Sequence, residues 1–261
     1  MSQSPPAPYG SWKSPITSDL IVSATVGLGQ IALDGEDVYW VELRPSEGGR
    51  NCVVRYVHGG AVTDVTPQGF NARTRVHEYG GGDFAVRDGV IYFTNFPDQR
   101  VYRQRTETAP QALTPEGKLR YSDPFIDQRR GLLFAVREDH SDVAREAVNT
   151  IVSLGLDGAG NDEGGRVLVS GADFYSTPRV SPDGSRLAWL AWNHPNMPWD
   201  GCELWVGELD EAGALTSKRL VAGGPEESIF QPEWSPSGAL YFVSDRSNWW
   251  NLYRLGDADA A

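Results

Sequence analysis

The sequence predicts an all-β protein, a β-propeller of four-stranded antiparallel blades. The first observation is a repeat: residues 177–184 return 54 positions later as residues 231–238, each with Pro at its second position and a Ser-Pro-x-Gly ending. The second observation is that both copies lead into an apolar strand that carries aromatic side chains. The third observation is composition, because nine Trp, ten Tyr and nine Phe with 29 Gly and 17 Pro suit many short strands joined by tight turns. A repeat of this length built from short strands is typical of a propeller.

The second strand of each blade sets the blade spacing. Apolar runs that follow a turn Gly are found at residues 38–41, 90–93, 132–135, 187–190 and 240–243. The aromatic residues at equivalent positions are Trp40, Phe93, Phe134, Trp189 and Phe242, which are separated by 53, 41, 55 and 53 residues. Such steps fit four-stranded blades with loops of variable length. Gly in the turn supplies the positive φ of a tight hairpin, and Pro precedes it where no ladder donor is needed.

The third and fourth strands indicate that the last blade differs from the others. Alternating polar and apolar residues predict third strands at residues 100–103, 203–206 and 251–254. Fourth strands are predicted at residues 61–66, 111–114, 166–169 and 218–221, so four blades are complete and the fifth is incomplete. One explanation is a truncated larger propeller, which we prefer because such blades also occur in larger rings. The other is a five-bladed ring in which residues 19–24 supply the missing outer strand.

The repeats divide the chain into an N-terminal extension, residues 1–30, and a propeller, residues 31–261. The predicted blades cover residues 31–70, 71–116, 117–171, 172–224 and 225–261. A chain of 261 residues with 40% hydrophobic content suits one such domain. The one stretch with a plausible helical pattern is residues 141–147, where Ser141 or Asp142 can serve as the N-cap.

Charge and cysteine content limit the expected partners and location. The net charge of −12 argues against a nucleic acid partner, since nucleic acid binding depends on Lys and Arg that neutralise phosphates. The N-terminus lacks a basic region followed by an apolar run, and no apolar run approaches a membrane span, so a cytoplasmic protein without membrane contact is expected. Cys52 and Cys202 are expected to be buried thiols, with a disulfide as the less favoured alternative.

Four loop segments are expected to share one face of the propeller. The chain reverses direction with each strand, so the loop between the second and third strands of a blade lies on the same face as the loop leading into the next blade. This places residues 71–82, 192–201, 223–228 and 245–250 together. Exposed loops on a rigid scaffold are common binding sites. The candidates for ligand contact are Arg75, His77, Glu78, Asn193, Trp199, Asp200, Glu226 and Glu227.

These segments also have a purely structural interpretation. His77 and Glu78 can pair at a blade junction. The prolines and tryptophans of residues 192–200 can rigidify a loop and cover a blade edge. Residues 226–227 can lie in a solvated acidic loop, and residues 245–246 can form an ion pair at a strand end. Both interpretations stay open at each position.

The sequence lacks recognisable catalytic machinery. No Gly-x-Ser-x-Gly motif occurs, so the nucleophile of an α/β-hydrolase is missing. The histidines are dispersed without metal-ligand spacing, and no Asp-Gly pair heads a calcium loop. Residues 80–82 lack the Lys and the following helix of a phosphate-binding loop. We therefore expect no catalytic residue, no metal site and no cofactor in this chain.

Three segments resemble a known family. Residues 9–17, 75–82 and 193–201 are similar to a bacterial branch of the prolyl oligopeptidase family, commonly described as dipeptidyl or acylaminoacyl peptidases. The resemblance runs through nearly the whole chain, and residues 193–201 are its most specific part. Residues 244–246 and 250–253 also resemble the wider class of propellers that includes TolB. The resemblance implies an N-terminal propeller that caps a C-terminal α/β-hydrolase domain with a Ser-Asp-His triad and restricts access to short peptides.

The resemblance implies a function for the parent protein rather than for this chain alone. The hydrolase domain is absent from the sequence, so no triad residue is carried over and the chain is expected to be inactive by itself. Its expected role is a non-catalytic propeller that gates substrate entry to a serine peptidase, with the hydrolase domain and a short peptide as partners. Some family members hold the substrate amino terminus with propeller glutamates, which makes Glu226 and Glu227 candidates by location. The alternative is a free-standing TolB-like binding propeller without enzymatic activity.

Overall fold

The computed structural model describes residues 8–11, 13–23 and 25–256, and it confirms the predicted β-propeller. Within each sheet the strands are antiparallel and follow one another in chain order, so each sheet is one blade. Blade 1 consists of β1 (Gly27–Asp34), β2 (Asp37–Arg44), β3 (Arg50–Tyr56) and β4 (Val62–Asp64), and blade 2 of β5 (Phe84–Arg87), β6 (Val90–Thr94), β7 (Val101–Arg105) and β8 (Gln111–Ala112). Blade 3 consists of β9 (Leu119–Asp127), β10 (Leu132–Asp139), β11 (Val148–Gly155) and β12 (Arg166–Val169). Blade 4 consists of β13 (Phe174–Val180), β14 (Arg186–Trp192), β15 (Glu203–Leu209) and β16 (Leu215–Gly223), and blade 5 of β17 (Ile229–Trp234), β18 (Leu240–Ser244) and β19 (Asn251–Arg254).

The first strand of each blade lies innermost, because the first strands of successive blades contact one another. β1 contacts β5, β5 contacts β9, β9 contacts β13, and β13 contacts β17. The predicted apolar runs all fall in the second strands β2, β6, β10, β14 and β18. Blade 5 has three strands in the part of the chain that the structure describes, as predicted. The larger ring and the domain boundaries stay predictions.

Residues 19–24 do not form the outer strand that one explanation required. Ser18–Val22 form a helix, α1, and Ala24, like Trp12, lies outside the described residues. The Thr17 side chain caps α1 by accepting a hydrogen bond from the Leu20 N–H at 3.1 Å. Asp19 adds a negative charge to the first turn, where the helix dipole favours it. No helix within the described ranges is long and apolar enough to cross a membrane.

The helix predicted at residues 141–147 is also wrong, since this stretch is a turn in the loop between β10 and β11. The Asp142 side chain accepts a hydrogen bond from the Ala144 N–H at 3.0 Å, and the Asp142 carbonyl accepts one from the Arg145 N–H. Such local bonds compete with a helix, and the exposed loop has no apolar face to stabilise one.

A β-bulge at the same place in three inner strands explains the 54-residue repeat. The register of β9, β13 and β17 shifts at Asp123, Thr177 and Gln231, each followed by Pro. These three residues have φ angles of 52°, 55° and 49°. A bulge leaves a residue outside the ladder, so Pro, which has no N–H to donate, is accommodated there. The recurring x-Pro of the sequence therefore marks the point at which each inner strand bends.

Side chains at the bulges tie neighbouring blades together. Asp123 accepts hydrogen bonds from the N–H of Gly82, at the entrance of blade 2, at 2.5 Å and from the N–H of Thr177, in blade 4, at 3.0 Å. Gln30, at the bulge of β1, accepts one from the Asp83 N–H at 2.9 Å. A Cβ on Gly82 would lie 2.6 Å from the Asp123 carboxylate, so the approach requires glycine. Asp123 therefore lies close to the backbone of residues 80–82, which we call the glycine run.

Apolar side chains between facing blades form the core. Between blades 3 and 4, Phe134 packs with Tyr175 and Trp189, and all three are fully buried. Between blades 4 and 5, Leu190 packs with Phe242. Sheets that face each other in this way are stabilised chiefly by removal of apolar surface from water.

The outer sides of blades 1 and 5 are exposed and apolar. Blade 1 packs Tyr39 against blade 2, and on its other side 75% of the surface of Leu28 and 69% of that of Ile31 are accessible. In blade 5, Tyr253 faces blade 4, and Leu252, which points the opposite way, is 69% exposed. Each of these blades therefore packs a neighbouring blade on one side in the described part of the chain.

Both cysteines are buried, and neither forms a disulfide within the described ranges. Burial raises the pKa of both thiols, and that of Cys202 rises to about 11. At pH 8 a thiol with this pKa is about 100-fold less ionised than a free cysteine. The expectation of buried thiols is confirmed.

This burial predicts slow thiol chemistry in the folded protein. At pH 8, Cys202 is expected to react with a disulfide reagent such as DTNB about 100-fold more slowly in native than in urea-unfolded protein, because the thiolate is the attacking species. Cys52 is also expected to react more slowly in the native protein. The absorbance of the released thiolate measures both rates. Rapid labelling of one thiol per folded chain would contradict the prediction.

Candidate functional site

A cavity of about 730 Å³ lies on the loop face, where blades 2, 3, 4 and 5 converge. Blade 2 contributes His77, Tyr79 and the glycine run, and blade 3 contributes Asp123. The remaining lining residues that matter below are Trp192, Pro198 and Trp199 of blade 4 and Ser228, Phe230 and Trp250 of blade 5. The cavity thus brings together parts of all four loop segments that the sequence placed on one face.

The wall formed by blade 2 is a tight turn with unusual backbone angles. His77 and Glu78 have φ angles of 57° and 63°, in the left-handed region that residues other than glycine rarely adopt. Each such residue costs about 1–3 kcal/mol and persists only because its surroundings hold it in place. The turn is closed by the Glu78 N–H, which donates to the Arg75 carbonyl at 2.9 Å, and by the Gly80 N–H, which donates to the Val76 carbonyl at 2.9 Å.

A buried carboxylate of blade 3 holds this turn from outside. The His77 N–H donates to Oε1 of Glu138 at 2.7 Å, and Glu138 is 4% exposed. Its Oε2 lies 2.9 Å from Nε2 of His140 and 3.8 Å from Nη1 of Arg120. The same Nη1 donates to Oε1 of Glu78 at 2.6 Å, and this bond lowers the pKa of Glu78. Because a buried charge is costly without partners, the network and the turn depend on each other.

The His77 ring completes the inner wall of the cavity. Its centroid lies 5.1 Å from that of Trp192, 5.7 Å from Phe174 and 5.5 Å from Tyr79. Its Nε2 is buried without a hydrogen-bond partner among the described residues. Burial lowers the pKa of His77, against the opposing effect of the Glu138 and Asp123 charges, so the ring is neutral near pH 7. It serves as a flat, uncharged wall.

The loop of blade 4, residues 193–201, is fixed against blade 5. The Ser228 hydroxyl donates to the Pro198 carbonyl at 2.6 Å, and the Asn196 amide donates to the Pro225 carbonyl at 2.8 Å. These bonds place the Trp199 ring 6.3 Å from that of Tyr79, across the cavity, with 59% of the Trp199 surface exposed. The two rings form an open aromatic rim held by two different blades.

An acidic group lies beside the glycine run. Asp83 accepts a hydrogen bond from the Thr74 N–H at 2.9 Å. Burial raises the pKa of Asp83 to about 7, and the Asp123 charge adds to this, whereas the Thr74 bond and the Arg73 charge act in the other direction. Asp83 therefore exchanges its proton near neutral pH in the folded protein.

The eight predicted candidates separate into distinct environments. His77 and Trp199 line the cavity. The guanidinium of Arg75 lies 4.3 Å from the centre of the Phe96 ring, and Glu78 binds Arg120. His77 and Glu78 thus each contact blade 3, at a blade junction. The role of these residues in ligand contact stays a prediction.

Of the other four candidates, three accept hydrogen bonds from groups of the protein itself and one is exposed. Asn193 accepts a hydrogen bond from the Asp173 N–H at 2.8 Å, and Asp200 accepts one from the Met197 N–H at 2.9 Å. Glu227 accepts from the Ser244 hydroxyl at 2.6 Å and from Nε of Arg246 at 2.9 Å, and Glu226 is exposed. Their ligand contacts also stay predictions.

Sequence reasoning missed the residues that support the cavity. Arg120 and Glu138 face each other across β9 and β10, so opposite charges at paired strand positions were the available signal. Asp123 stands 54 residues before Thr177, so the repeat itself pointed to it. Among the described residues, no group of three or more His, Cys, Asp or Glu is placed to hold a metal ion. The absence of a cofactor stays a prediction.

Solved structures similar to this chain are peptidases and other propellers. A puromycin hydrolase is 36% identical, with a TM-score of 0.89 over 98% of this chain and 41% of its own length. A puromycin-hydrolyzing peptidase of Mycobacterium tuberculosis is 38% identical, with a TM-score of 0.86 over 96% of this chain and 40% of its own. A putative TolB from Agrobacterium tumefaciens, at 15% identity and a TM-score of 0.53 over 78% of this chain and 68% of its own, shares the fold.

This chain spans about two fifths of the length of the puromycin-hydrolysing proteins that it matches. No protein-family model and no curated protein matches it.

Proposed function

We propose that this chain is the β-propeller part of a serine peptidase of the prolyl oligopeptidase family, in which it forms the non-catalytic, substrate-gating part. The single observation that carries the proposal is the identity of 36–38% to puromycin-hydrolysing proteins over 96–98% of this chain. The partner is a C-terminal α/β-hydrolase domain that supplies the serine nucleophile and its Asp and His. A cytoplasmic location belongs to the same proposal.

The loop face gives this role a physical basis. A preformed cavity lined by residues of four blades offers a substrate a fixed surface, so little ordering is needed on binding. The serine of the hydrolase domain attacks the scissile carbonyl, the C–N bond breaks, the amine leaves with a proton, and water then releases the acyl group from the serine. The propeller orients the substrate and limits which molecules reach the serine. No residue of the propeller acts on the reacting atoms in this scheme.

The substrate class follows from the similar proteins and the cavity together. Three of the similar structures are named for the hydrolysis of puromycin, and one of these, of a puromycin hydrolase mutant, is a complex with PGG. We extend this to aminoacyl amides and short peptides for the full-length form of this protein. Small substrates suit a cavity of about 730 Å³, which lies in the size range of small-molecule sites.

Hydrolysis assays on two forms of the protein test the proposal. The 261-residue chain is expected to leave puromycin and aminoacyl p-nitroanilides intact, and the longer protein encoded in the same reading frame is expected to cleave them. Replacing the serine of the Gly-x-Ser-x-Gly motif in that longer protein with Ala is the control, and it should abolish cleavage. Cleavage by the purified 261-residue chain would overturn the proposal.

The alternative, a free-standing TolB-like binding propeller, has weaker support. The TolB structure shares the fold at 15% identity, which carries no activity or partner to this chain. The same reading frame distinguishes the two functions, because a stop codon directly after Ala261 and a monomeric, cooperatively melting chain would favour the binding propeller.

A further inference from the structure

We propose that the cavity between the Tyr79–Trp199 rim and the His77–Trp192 wall is a specificity site for a planar aromatic side chain of the substrate. That the bound ring belongs to a substrate rests on the proposed function. That the cavity binds an aromatic ring rests on the residues of the cavity alone. Aromatic residues of three blades converge there, although nothing in the fold of a single blade requires it. Such a cluster presents ring faces and edges on which another ring can stack.

The rim residues are exposed in a way that a folded protein does not need for stability. Tyr79 and Trp199 are 54% and 59% exposed, and their rings stand 6.3 Å apart at an interplanar angle of 49°. Trp192, by contrast, is buried and braced by Phe174 at 5.5 Å and by His77 at 5.1 Å. The cavity therefore combines a firm inner wall with an open rim.

The charges around the cavity exclude other ligand classes. None of the described residues that line it is Lys or Arg, so phosphates and carboxylates have no counter-ion there. Asp123 lies at its inner end, and the chain carries a net charge of −12, which repels anions further. His77 is neutral near pH 7 and adds no positive charge. A neutral ring fits these conditions, and a nucleotide does not.

The walls are held in place before any ligand arrives. Glu138 fixes the His77 turn from blade 3, and Ser228 fixes Pro198, next to Trp199, from blade 5. Preformed aromatic walls favour a rigid flat group over a flexible one, because neither side loses much freedom on binding. This distinguishes an aromatic ring from an aliphatic group of equal size.

Calorimetric titration of the 261-residue chain tests the proposal with three probes. O-methyl-L-tyrosine amide, L-cyclohexylalanine amide and L-alanine amide share a backbone and differ in the side chain. We expect saturable binding of the tyrosine derivative, with a Kd at least about tenfold lower than that of the cyclohexyl derivative and no saturation by the alanine amide. Equal affinity for the aromatic and cyclohexyl probes, or no saturable binding of the aromatic probe at millimolar concentration, would overturn the proposal.

Two tryptophan variants assign the binding to the cavity. Trp199→Ala is expected to raise the Kd for the tyrosine derivative at least about tenfold, and Trp249→Ala, which removes a 78% exposed ring outside the cavity lining, is expected to leave it unchanged. Trp199→Leu serves if the alanine variant fails to fold, as judged by circular dichroism. An unchanged Kd in a folded Trp199 variant would refute the assignment.

The longer protein separates this proposal from the proposed function. There, Trp199→Ala is expected to lower kcat/KM for aromatic substrates and to spare that for alanine substrates. Loss of selectivity with retained hydrolysis supports both ideas. A full-length protein that hydrolyses nothing, beside a propeller that still binds the aromatic probe, would reject the peptidase role and keep the specificity site.

Discussion

Replacing Glu138 with Ala is expected to lower the free energy of unfolding by about 3–5 kcal/mol, the usual cost of removing one partner from a buried ionic network. Glu138 is 4% exposed, accepts the His77 N–H at 2.7 Å and lies 2.9 Å from Nε2 of His140. Its loss leaves the Arg120 guanidinium with less compensation and leaves the His77 N–H without its acceptor. Urea denaturation followed by circular dichroism measures the change.

The same substitution is expected to disturb the cavity, because His77 and Glu78 hold left-handed backbone angles that Glu138 helps to maintain. Binding of the aromatic probe should weaken at least about tenfold in Glu138→Ala. Glu138→Gln keeps an oxygen for the His77 N–H and loses the charge, so it should restore binding better than it restores stability. This contrast separates positioning of the turn from simple stabilisation.

Glu116→Ala is the matched control for these variants. Glu116 is 89% exposed and pairs with Arg100 at 3.6 Å, a surface contact that contributes about 0–1 kcal/mol. Its removal should leave both stability and binding close to those of the unmodified chain. A Glu138→Ala variant as stable as Glu116→Ala would show that the buried network does not hold the turn.

Replacing Asp83 with Asn is expected to make the protein more stable than the unmodified chain at pH 8, and by much less at pH 4. In the folded state the pKa of Asp83 is raised to about 7, above its unfolded value of about 3.9. A group with a raised pKa in the folded state contributes its stability below the unfolded pKa and loses it as pH rises through the folded pKa. The loss therefore develops between about pH 4 and pH 7.

The size of the effect follows from the shift. About three pKa units correspond to an upper limit of about 4 kcal/mol, and local relaxation reduces this to about 1–4 kcal/mol. Asn keeps a side-chain oxygen for the Thr74 N–H and carries no charge at any pH, so it avoids the loss. Other carboxyls, such as that of Glu78, have lowered pKa values and stabilise the protein as pH rises. The measured quantity is thus the stability difference between variant and unmodified chain at each pH.

Thermal and urea unfolding from pH 4 to pH 8 supply that difference. Asp162→Asn, which removes a carboxylate at an exposed position, is the control. If the stability difference between Asp83→Asn and the unmodified chain does not change from pH 4 to pH 8, the pKa of Asp83 is not raised in the folded protein.

The repeat made most of the fold predictable. Pro124, Pro178 and Pro232 recur at intervals of 54 residues, and a turn Gly follows each, because they mark a bulge and a tight hairpin that apolar content alone does not encode. The prediction failed where local chemistry was weak: residues 19–24 are apolar enough for a strand, yet the Thr17 cap and Asp19 favour a helix. Short segments are decided by such caps and by the neighbours that they pack against.

The candidate site was predictable in its outline and less so in its support. The rule for loops on one face brought His77 and Trp199 together, although they are separated by more than a hundred residues. It also included Asn193 and Asp200, whose side chains accept hydrogen bonds from backbone N–H groups of the protein. Sequence alone does not show which polar side chains form such hydrogen bonds. Glu138 was out of reach, since its importance depends on a contact with a turn in another blade.

The exposed apolar sides of blades 1 and 5 make the support within the propeller uneven. In arrays of repeated units, each unit is stabilised mainly by packing against its nearest neighbours. Among the described blades, blade 5 packs against blade 4, whereas blades 3 and 4 each pack against a blade on both sides. The cavity draws its rim from blades 2 and 4 and part of its floor from blade 5. A bound ligand would therefore stabilise blade 5, because it would contact blades 2 and 4 as well and so oppose the local unfolding of blade 5.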